Sequence, residues 1–216
     1  MIHRFNLWLV IGLSFVYSVG YSSLSYATGE HQRRFAVELA IAAGDSRLLL
    51  NSNKLSVGKQ LWIKQRVIAA VQFLPLLARY YQQERHINDA QLDKKLHQLL
   101  LLLEQPQSLH AQLIKLSRQY PLNFSLIIPQ KLDTLSLKKI AKLYNSLCIG
   151  CHLGVATDNS VVVGKLALFA NTMDKDEWLA RLIAGLHGDA YTRLENPFSD
   201  QQIALFHSYI RFHLAD

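Results

Sequence analysis

The stretch Cys148-Ile149-Gly150-Cys151-His152 holds the only two cysteines of the 216-residue chain. Two thiols separated by two residues on a helical turn can reach the two vinyl groups along one edge of a porphyrin, and His152 then lies below the iron. Two cysteines are too few for an ordinary structural zinc site, and a disulfide across so short a loop stabilises little. The flanking residues indicate helix rather than the βαβ setting of a thioredoxin-like redox pair. The motif therefore predicts one covalent haem c, attached to Cys148 and Cys151, with His152 as the iron ligand.

The amino terminus has the features of an export signal. A charged start precedes an uncharged run over residues 5–20, and Ser25 and Ala27 have the small side chains and the spacing of a signal-peptidase site. We predict a signal peptide over residues 1–27 and a periplasmic protein. The run is short and diluted by polar residues for a membrane span, which needs about 20 apolar residues. An uncleaved amino-terminal membrane anchor facing the periplasm is the alternative.

Charge divides the chain into a basic front and a mildly acidic rear. Residues 28–147 carry 17 Lys and Arg against 8 Asp and Glu, a net charge of +9, whereas residues 148–216 carry 5 against 8, a net charge of −3. Such asymmetry can steer an acidic partner or an anionic membrane surface, although membrane contact is not part of the prediction. No basic stretch has the interleaved aromatic residues of a nucleic-acid groove, so we predict no nucleic-acid binding.

Apolar residues at helical spacing, with capping residues at their ends, predict an all-α fold. The expected helices cover residues 31–43, 56–85, 88–105, 108–119, 136–147, 174–186 and 200–214. Gly44 should end the first helix, with a connector over 45–53, and Pro75 should kink the second. Residues 122–129 are expected to be an extended linker. The chain is therefore predicted to form a bundle-like helical domain over 28–129 and a second domain over 130–216.

The rear of the chain, from about residue 134 to 216, resembles the small bacterial class I cytochromes c. It has the same order of helix, C-x-x-C-H, loop, helix with a tryptophan (Trp178), proline-containing loop and C-terminal helix. The resemblance implies a cytochrome c fold in which Tyr144 meets Tyr209 or Phe206 where the first and last helices cross. It does not extend to the helical front half.

The sixth iron ligand is left open by this resemblance. The family usually has a methionine just before the proline-containing segment, and Leu194, which cannot coordinate iron, stands there. The alternatives are ligation by Met173, ligation by His187, or an open five-coordinate iron covered by Leu194 and Tyr191. Arg193 or Tyr191 is either a contact of a haem propionate or a simple loop residue.

The remaining histidines need no function in this interpretation. His86, His97 and His110 lie on polar or mixed faces of the front helices, where exposed histidine is the ordinary case. His207 and His213 lie in the last helix, which in the family packs against the first helix of the domain rather than over the iron.

These observations predict an electron carrier rather than an enzyme. The chain would pass single electrons between periplasmic redox partner proteins, and its basic front helices would form a docking module or the face of a homo-oligomer or larger complex. A vacant iron position would instead make it a sensor of a small gas or a minor peroxidase. A third alternative, a haem-bearing subunit of a larger oxidoreductase, is suggested by residues 99–103, which are apolar on every helix face and should be buried or covered by a partner.

Overall fold

The computed structural model describes residues 29–51, 53, 55–124, 127, 131–152, 166–185, 196 and 198–214. Every regular element within these ranges is an α-helix, which confirms the predicted all-α class. The predicted signal peptide lies outside the described residues. The helices are α1 Glu30–Leu50, α2 Val57–Arg85, α3 Ala90–Leu101, α4 Pro106–Gln119, α5 Thr134–Leu147, α6 Ile149–His152, α7 Leu166–Thr172, α8 Lys175–Ala184 and α9 Asp200–His213.

Helix α1 is longer than the sequence predicts. The predicted end at Gly44 and the connector over 45–53 are wrong, because the helix continues through Gly44 to Leu50. Gly44 is buried, and a Cβ atom at this position would overlap the carboxyl group of Glu177. The glycine therefore makes room for a side chain of another helix and does not end its own.

The front helices α1 to α4 bury a common aliphatic core, the front cluster. Helix α2 packs along α3, and α3 contacts α4. Pro75 lies inside α2, as predicted. The largest members of the cluster are almost completely buried, among them Phe35, Leu39, Ile63, Leu74, Leu92, Leu96, Leu99, Leu113 and Leu116. Their number explains why four helices hold together without a cofactor-binding motif in this half of the chain.

The starts and ends of α3 and α4 differ from the predictions by a few residues. Asp89 rather than its neighbour Asn88 caps α3, accepting a hydrogen bond of 2.9 Å from the backbone N–H of Leu92. Helix α3 ends at Leu101, and α4 begins at Pro106, a favoured first residue because it has no N–H to leave unpaired. Leu101 is 69% exposed, so the apolar run over 99–103 is only partly buried.

The rear helices form a smaller core, the rear cluster, around α9, which contacts α5, α7 and α8. Tyr144 of α5 meets Tyr209 of α9 edge to face at 5.5 Å between ring centroids, which is one of the contacts that the resemblance implies. Ser199 and Gln202, whose spacing in the sequence is that of a capping box, form one at the start of α9. The predicted end of α8 is wrong, because the helix stops at Ala184, where Gly185 adopts a left-handed conformation (φ +65°).

Contacts group the chain into two compact units, Met1–Glu30 and His31–Asp216. The front and rear clusters lie within the second unit. A third apolar cluster there joins Val37 and Ile41 of α1 to Leu122 and to Ala180 of α8. The domain boundary near residue 129 remains a prediction.

A buried network of ion pairs also joins α8 to the front helices. Asp45 of α1 pairs with Arg66 of α2 at 2.6 Å and with Arg181 of α8 at 2.7 Å. Glu177 of α8 pairs with Arg181 and with Arg47 of α1, both at 2.7 Å. Burial alone would lower the pKa of Arg181, but the carboxylates of Asp45 and Glu177 outweigh burial and raise it. The network fixes the orientation of α8 against α1.

Candidate haem-attachment site

Helix α5 leads directly into the cysteine motif. Asp133 caps its start by accepting a hydrogen bond of 2.6 Å from the backbone N–H of Ser136. Ile140 and Tyr144, one turn apart on the same face, are buried in the rear cluster. At the other end the backbone N–H of Cys148 donates to the carbonyl of Tyr144 at 2.8 Å. The first cysteine is therefore fixed to the end of a helix that is itself anchored in the core.

The motif continues as one more helical turn. Cys148 separates α5 from the short helix α6, and the backbone N–H of His152 donates to the carbonyl of Cys148 at 3.0 Å. This bond spans four residues, as in an α-helix. Cys148, Cys151 and His152 thus stand at positions i, i+3 and i+4, which share one side of a helix. The backbone over 148–152 is therefore helical, as the sequence predicts; haem attachment there stays a prediction.

The surroundings of this turn are apolar. His152 is only 8% exposed, and Cys148 and Ile149 pack partly buried against the rear cluster. Burial is the main cause that raises the pKa of the neighbouring Tyr144 hydroxyl, which keeps this phenol neutral. A buried imidazole beside an apolar cluster is a suitable setting for a metal ligand, because water is excluded from it.

A buried pair of polar side chains lies in the same half of the molecule. The indole N–H of Trp178 in α8 donates to Nδ1 of His207 in α9 at 2.9 Å, and both side chains are almost completely buried. Nδ1 is therefore the unprotonated nitrogen. Burial first, and then the positive charges of Arg211 and Lys175, lower the pKa of His207 to about 4. His207 is a neutral structural residue of the interior.

Sequence reasoning missed the role of His207. The signal was present, because His207 lies four residues after Ile203 and three before Ile210, and so shares the apolar, buried side of α9. It also missed Asn196, whose side-chain N–H groups donate to the carbonyls of Leu182 at 2.7 Å and Ile183 at 2.9 Å. Asn196 thereby ties the end of α8 to the segment before α9.

Most of the residues predicted to lie near the sixth coordination position of the iron fall outside the part of the chain that the structure describes. His187, Tyr191, Arg193 and Leu194 lie outside the described residues. Met173 is described: it follows α7 directly and packs partly buried against the rear cluster. That packing accounts for an apolar residue at this position. Ligation by Met173 stays a prediction, as do the two alternatives.

The other histidines of the front helices occupy ordinary positions. His86 and His97 are exposed, and Nδ1 of His110 lies 2.9 Å from Oγ of Ser46. Within the described part of the chain, no three side chains of His, Cys, Asp or Glu converge in a way that could hold a metal ion. The turn at 148–152 therefore remains the candidate site on which the function is argued.

Comparison of the chain with protein-family models, with curated proteins and with solved structures found no match.

Proposed function

We propose that the chain is an exported mono-haem c-type cytochrome that carries single electrons between redox partners in the periplasm. The observation that supports the proposal most strongly is the helical turn that places Cys148, Cys151 and His152 at positions i, i+3 and i+4. This motif is specific, and the export signal predicted over residues 1–27 adds to it. A covalently bound haem supplies one-electron chemistry at its iron, within a potential range set by the protein.

The chain's own residues would hold and shield the group. Cys148 and Cys151 would form the two thioether bonds, and His152 would ligate the iron. Helix α5 holds this turn in place through the buried side chains of Ile140 and Tyr144. His152 is buried, and limited solvent access around a metal ligand lowers the local dielectric and so would tune the reduction potential of the iron.

The uneven charge of the chain supports a role in docking to partners. The front carries the net charge of +9, so a redox partner with an acidic surface would be attracted over long range. Attraction of this kind raises the rate of encounter and weakens with salt.

A second candidate function is favoured by the identity of residue 194. Because leucine stands where class I cytochromes c, which this half of the chain resembles, usually have the methionine ligand, an open iron would make the chain a sensor of a small gas or a minor peroxidase. The reduced protein should then bind carbon monoxide rapidly and tightly. A low-spin spectrum that Met173→Leu or His187→Ala converts to high spin would instead identify the sixth ligand and favour the carrier.

A third candidate, a haem-bearing subunit of a larger oxidoreductase, is favoured by the exposed Leu101 in the apolar run over 99–103. Purification from the native membrane or periplasm in a stable complex would support it. A monodisperse monomer would remove the reason for it.

The test of the first proposal is chemical. The exported protein, made in cells that attach haem c, should keep its colour after denaturation and have the mass of the mature chain plus one haem. Cys148→Ala with Cys151→Ala should abolish the covalent attachment. His152→Ala should change the iron spectrum, whereas His97→Ala, at an exposed position of α3, should not. A colourless exported protein with two thiols open to alkylation would overturn the proposal.

A further inference from the structure

Helix α2 is apolar on both of its faces. One face supplies the front cluster, in which Ile63, Val71 and Leu74 are almost completely buried. Among the described helices, α2 is the one long and apolar enough in composition to cross a membrane, yet only 39% of its apolar window is buried in the protein. A helix that is hydrophobic all round is normally covered on all sides. The second face of α2 is only partly covered among the described residues: the ring of Tyr80 stacks on His31 of α1 at 5.1 Å between centroids, and the guanidinium of Arg66 lies 4.4 Å from the ring centroid of Trp62.

The second face is a continuous stripe along the helix, which we call the α2 stripe. It consists of Leu61, Trp62, Ala69, Leu76 and Tyr80, all exposed; the four large side chains are 37–56% exposed. Trp62, Ala69 and Leu76 repeat every seven residues, and Tyr80 follows four residues later, so these side chains lie on one side. Trp62 and Tyr80 stand about 27 Å apart along the helix axis.

The exposed polar residues along the α2 stripe are mainly uncharged. Gln65 and Gln72 alternate with the apolar residues, and Gln83 follows Tyr80 by three residues. The glutamine side chain can both donate and accept hydrogen bonds, and because it is uncharged, its removal from water costs much less free energy than that of a charged side chain. The centre of the stripe can therefore enter a partly apolar environment.

The charges around the α2 stripe are basic. Arg79 is exposed near its Tyr80 end and Lys59 is half-buried near its Trp62 end, whereas the exposed Arg85, in the last turn, lies about 140° around the helix from Tyr80. The other two basic residues of α2 pair with carboxylates: Lys64 with Glu104 in the turn between α3 and α4, and Arg66 with Asp45 of α1. Glu84, the one acidic residue of α2, accepts hydrogen bonds of 3.2 and 2.9 Å from backbone N–H groups at the start of α1. No other acidic residue of α2 opposes the basic groups.

We propose that the α2 stripe binds the surface of an anionic phospholipid membrane, with α2 lying in the plane of the interface. An interfacial helix of this kind buries an apolar stripe at the boundary between headgroups and acyl chains and keeps Lys and Arg at the phosphates. Trp and Tyr are enriched at that boundary because their rings are apolar and their N–H or O–H groups remain wet. Charge decides against a second copy of the chain as the occupant, since two front halves of net charge +9 would repel each other.

The proposal does not depend on the haem, and its test has a separate readout. The mature protein beginning at Thr28 is sedimented with vesicles of phosphatidylcholine, with and without phosphatidylglycerol. We expect binding to the anionic vesicles that falls as salt is raised. Leu61→Gln with Leu76→Gln, which removes apolar surface and leaves the charge unchanged, should lower the binding at least ten-fold. Arg79→Gln with Arg85→Gln should weaken it mainly at low salt.

The matched control is Leu135→Gln with Leu168→Gln, which changes two leucines in α5 and α7 that are 62% and 58% exposed, more than either leucine of the α2 pair. This variant should bind the anionic vesicles as the parent does. The proposal would be overturned if the α2 variant and the control variant lost vesicle binding to the same extent. It would also be overturned if the protein bound vesicles of phosphatidylcholine alone and the α2 variant bound them equally well. A dimer in solution that Leu61→Gln with Leu76→Gln converts to monomer would overturn it in favour of self-association.

Discussion

The front and rear halves of the described structure are stabilised in different ways. Of the twelve largest side chains that are almost completely buried, ten lie in α1 to α4, and these are aliphatic except Phe35; the rear contributes Ile140 and Leu179. The rear interior instead contains the Trp178–His207 pair, the buried His152 and two of the five residues of the ion-pair network, Glu177 and Arg181. The comparison indicates that apolar packing dominates the front, whereas specific polar contacts orient the rear helices around the cysteine motif.

The largest change in the free energy of unfolding is expected when a leucine of either core is truncated. Leu74→Ala in the front cluster and Leu179→Ala in the rear cluster each remove a completely buried side chain, so each should lower the free energy of unfolding by about 2–5 kcal/mol. Urea unfolding followed by far-ultraviolet circular dichroism measures both. Leu101→Ala, at an exposed leucine, is the control and should change it by less than about 0.5 kcal/mol. A smaller loss for Leu74→Ala than for Leu179→Ala would contradict the idea that apolar packing dominates the front.

The second prediction is that the stability of the protein depends on pH through His207, a residue of the rear half. The pKa of His207 is lowered from 6.5 to about 4 in the folded protein. Between pH 6.5 and pH 4 this histidine is therefore protonated in the unfolded chain but still neutral in the folded protein. Stability should therefore fall as the pH drops through this window, by at most about 3 kcal/mol, and this contribution should level off below pH 4. The reason is that protonation would put a positive charge in the interior and remove the acceptor of the Trp178 N–H.

Equilibrium unfolding at a series of pH values checks this prediction. Trp178→Phe with His207→Leu removes both partners and should flatten the profile between pH 4 and 6.5. His213→Ala, at an exposed position of the same helix, should leave the slope unchanged. An unaltered slope in the double variant would assign the acid sensitivity to other groups.

Local patterns in the sequence were sufficient for most of the helices, and distant contacts explain where they failed. Ser199 and Gln202 lie three residues apart, so their capping box was readable from sequence. Gly44 is a typical helix terminator, and its true role depends on Glu177, a residue 133 positions later. No local pattern contains that information, and the same is true of the Asp45–Arg181 ion pair.

The candidate site also has features that local sequence predicts and features that depend on distant residues. Cys148, Cys151 and His152 are close in sequence, so their helical spacing could be predicted. The partner of Trp178 could not, because His207 is 29 residues away and a buried histidine resembles an exposed one in sequence. Helix α8 also ends earlier than the predicted residue 186, because Gly185 adopts a left-handed conformation and closes it.

A third effect tests the junction between the halves. Gly44→Ala adds a methyl group where the carboxyl group of Glu177 lies, so it should lower the free energy of unfolding by about 1–3 kcal/mol. In a Glu177→Ala background the overlap is absent, and Gly44→Ala should become neutral or stabilise by up to about 1 kcal/mol because alanine favours helix. A double-mutant cycle in urea gives the coupling. Gly58→Ala, where a Cβ meets open space, is the control and should show no coupling to Glu177.

The smallest effect lies in the front half, at the end of α2. His86 is the one described residue other than glycine with a positive φ (52°), and its backbone N–H donates to the carbonyls of Gln82 and Gln83. A side chain is unfavourable in this left-handed conformation, so His86→Gly should raise the free energy of unfolding by about 0.5–1 kcal/mol. The same change at His97, inside α3, should lower it by about 1 kcal/mol, because glycine weakens a helix interior. Opposite signs in urea unfolding would show that the conformation of residue 86, and not the loss of a histidine, sets the effect; two losses would contradict it.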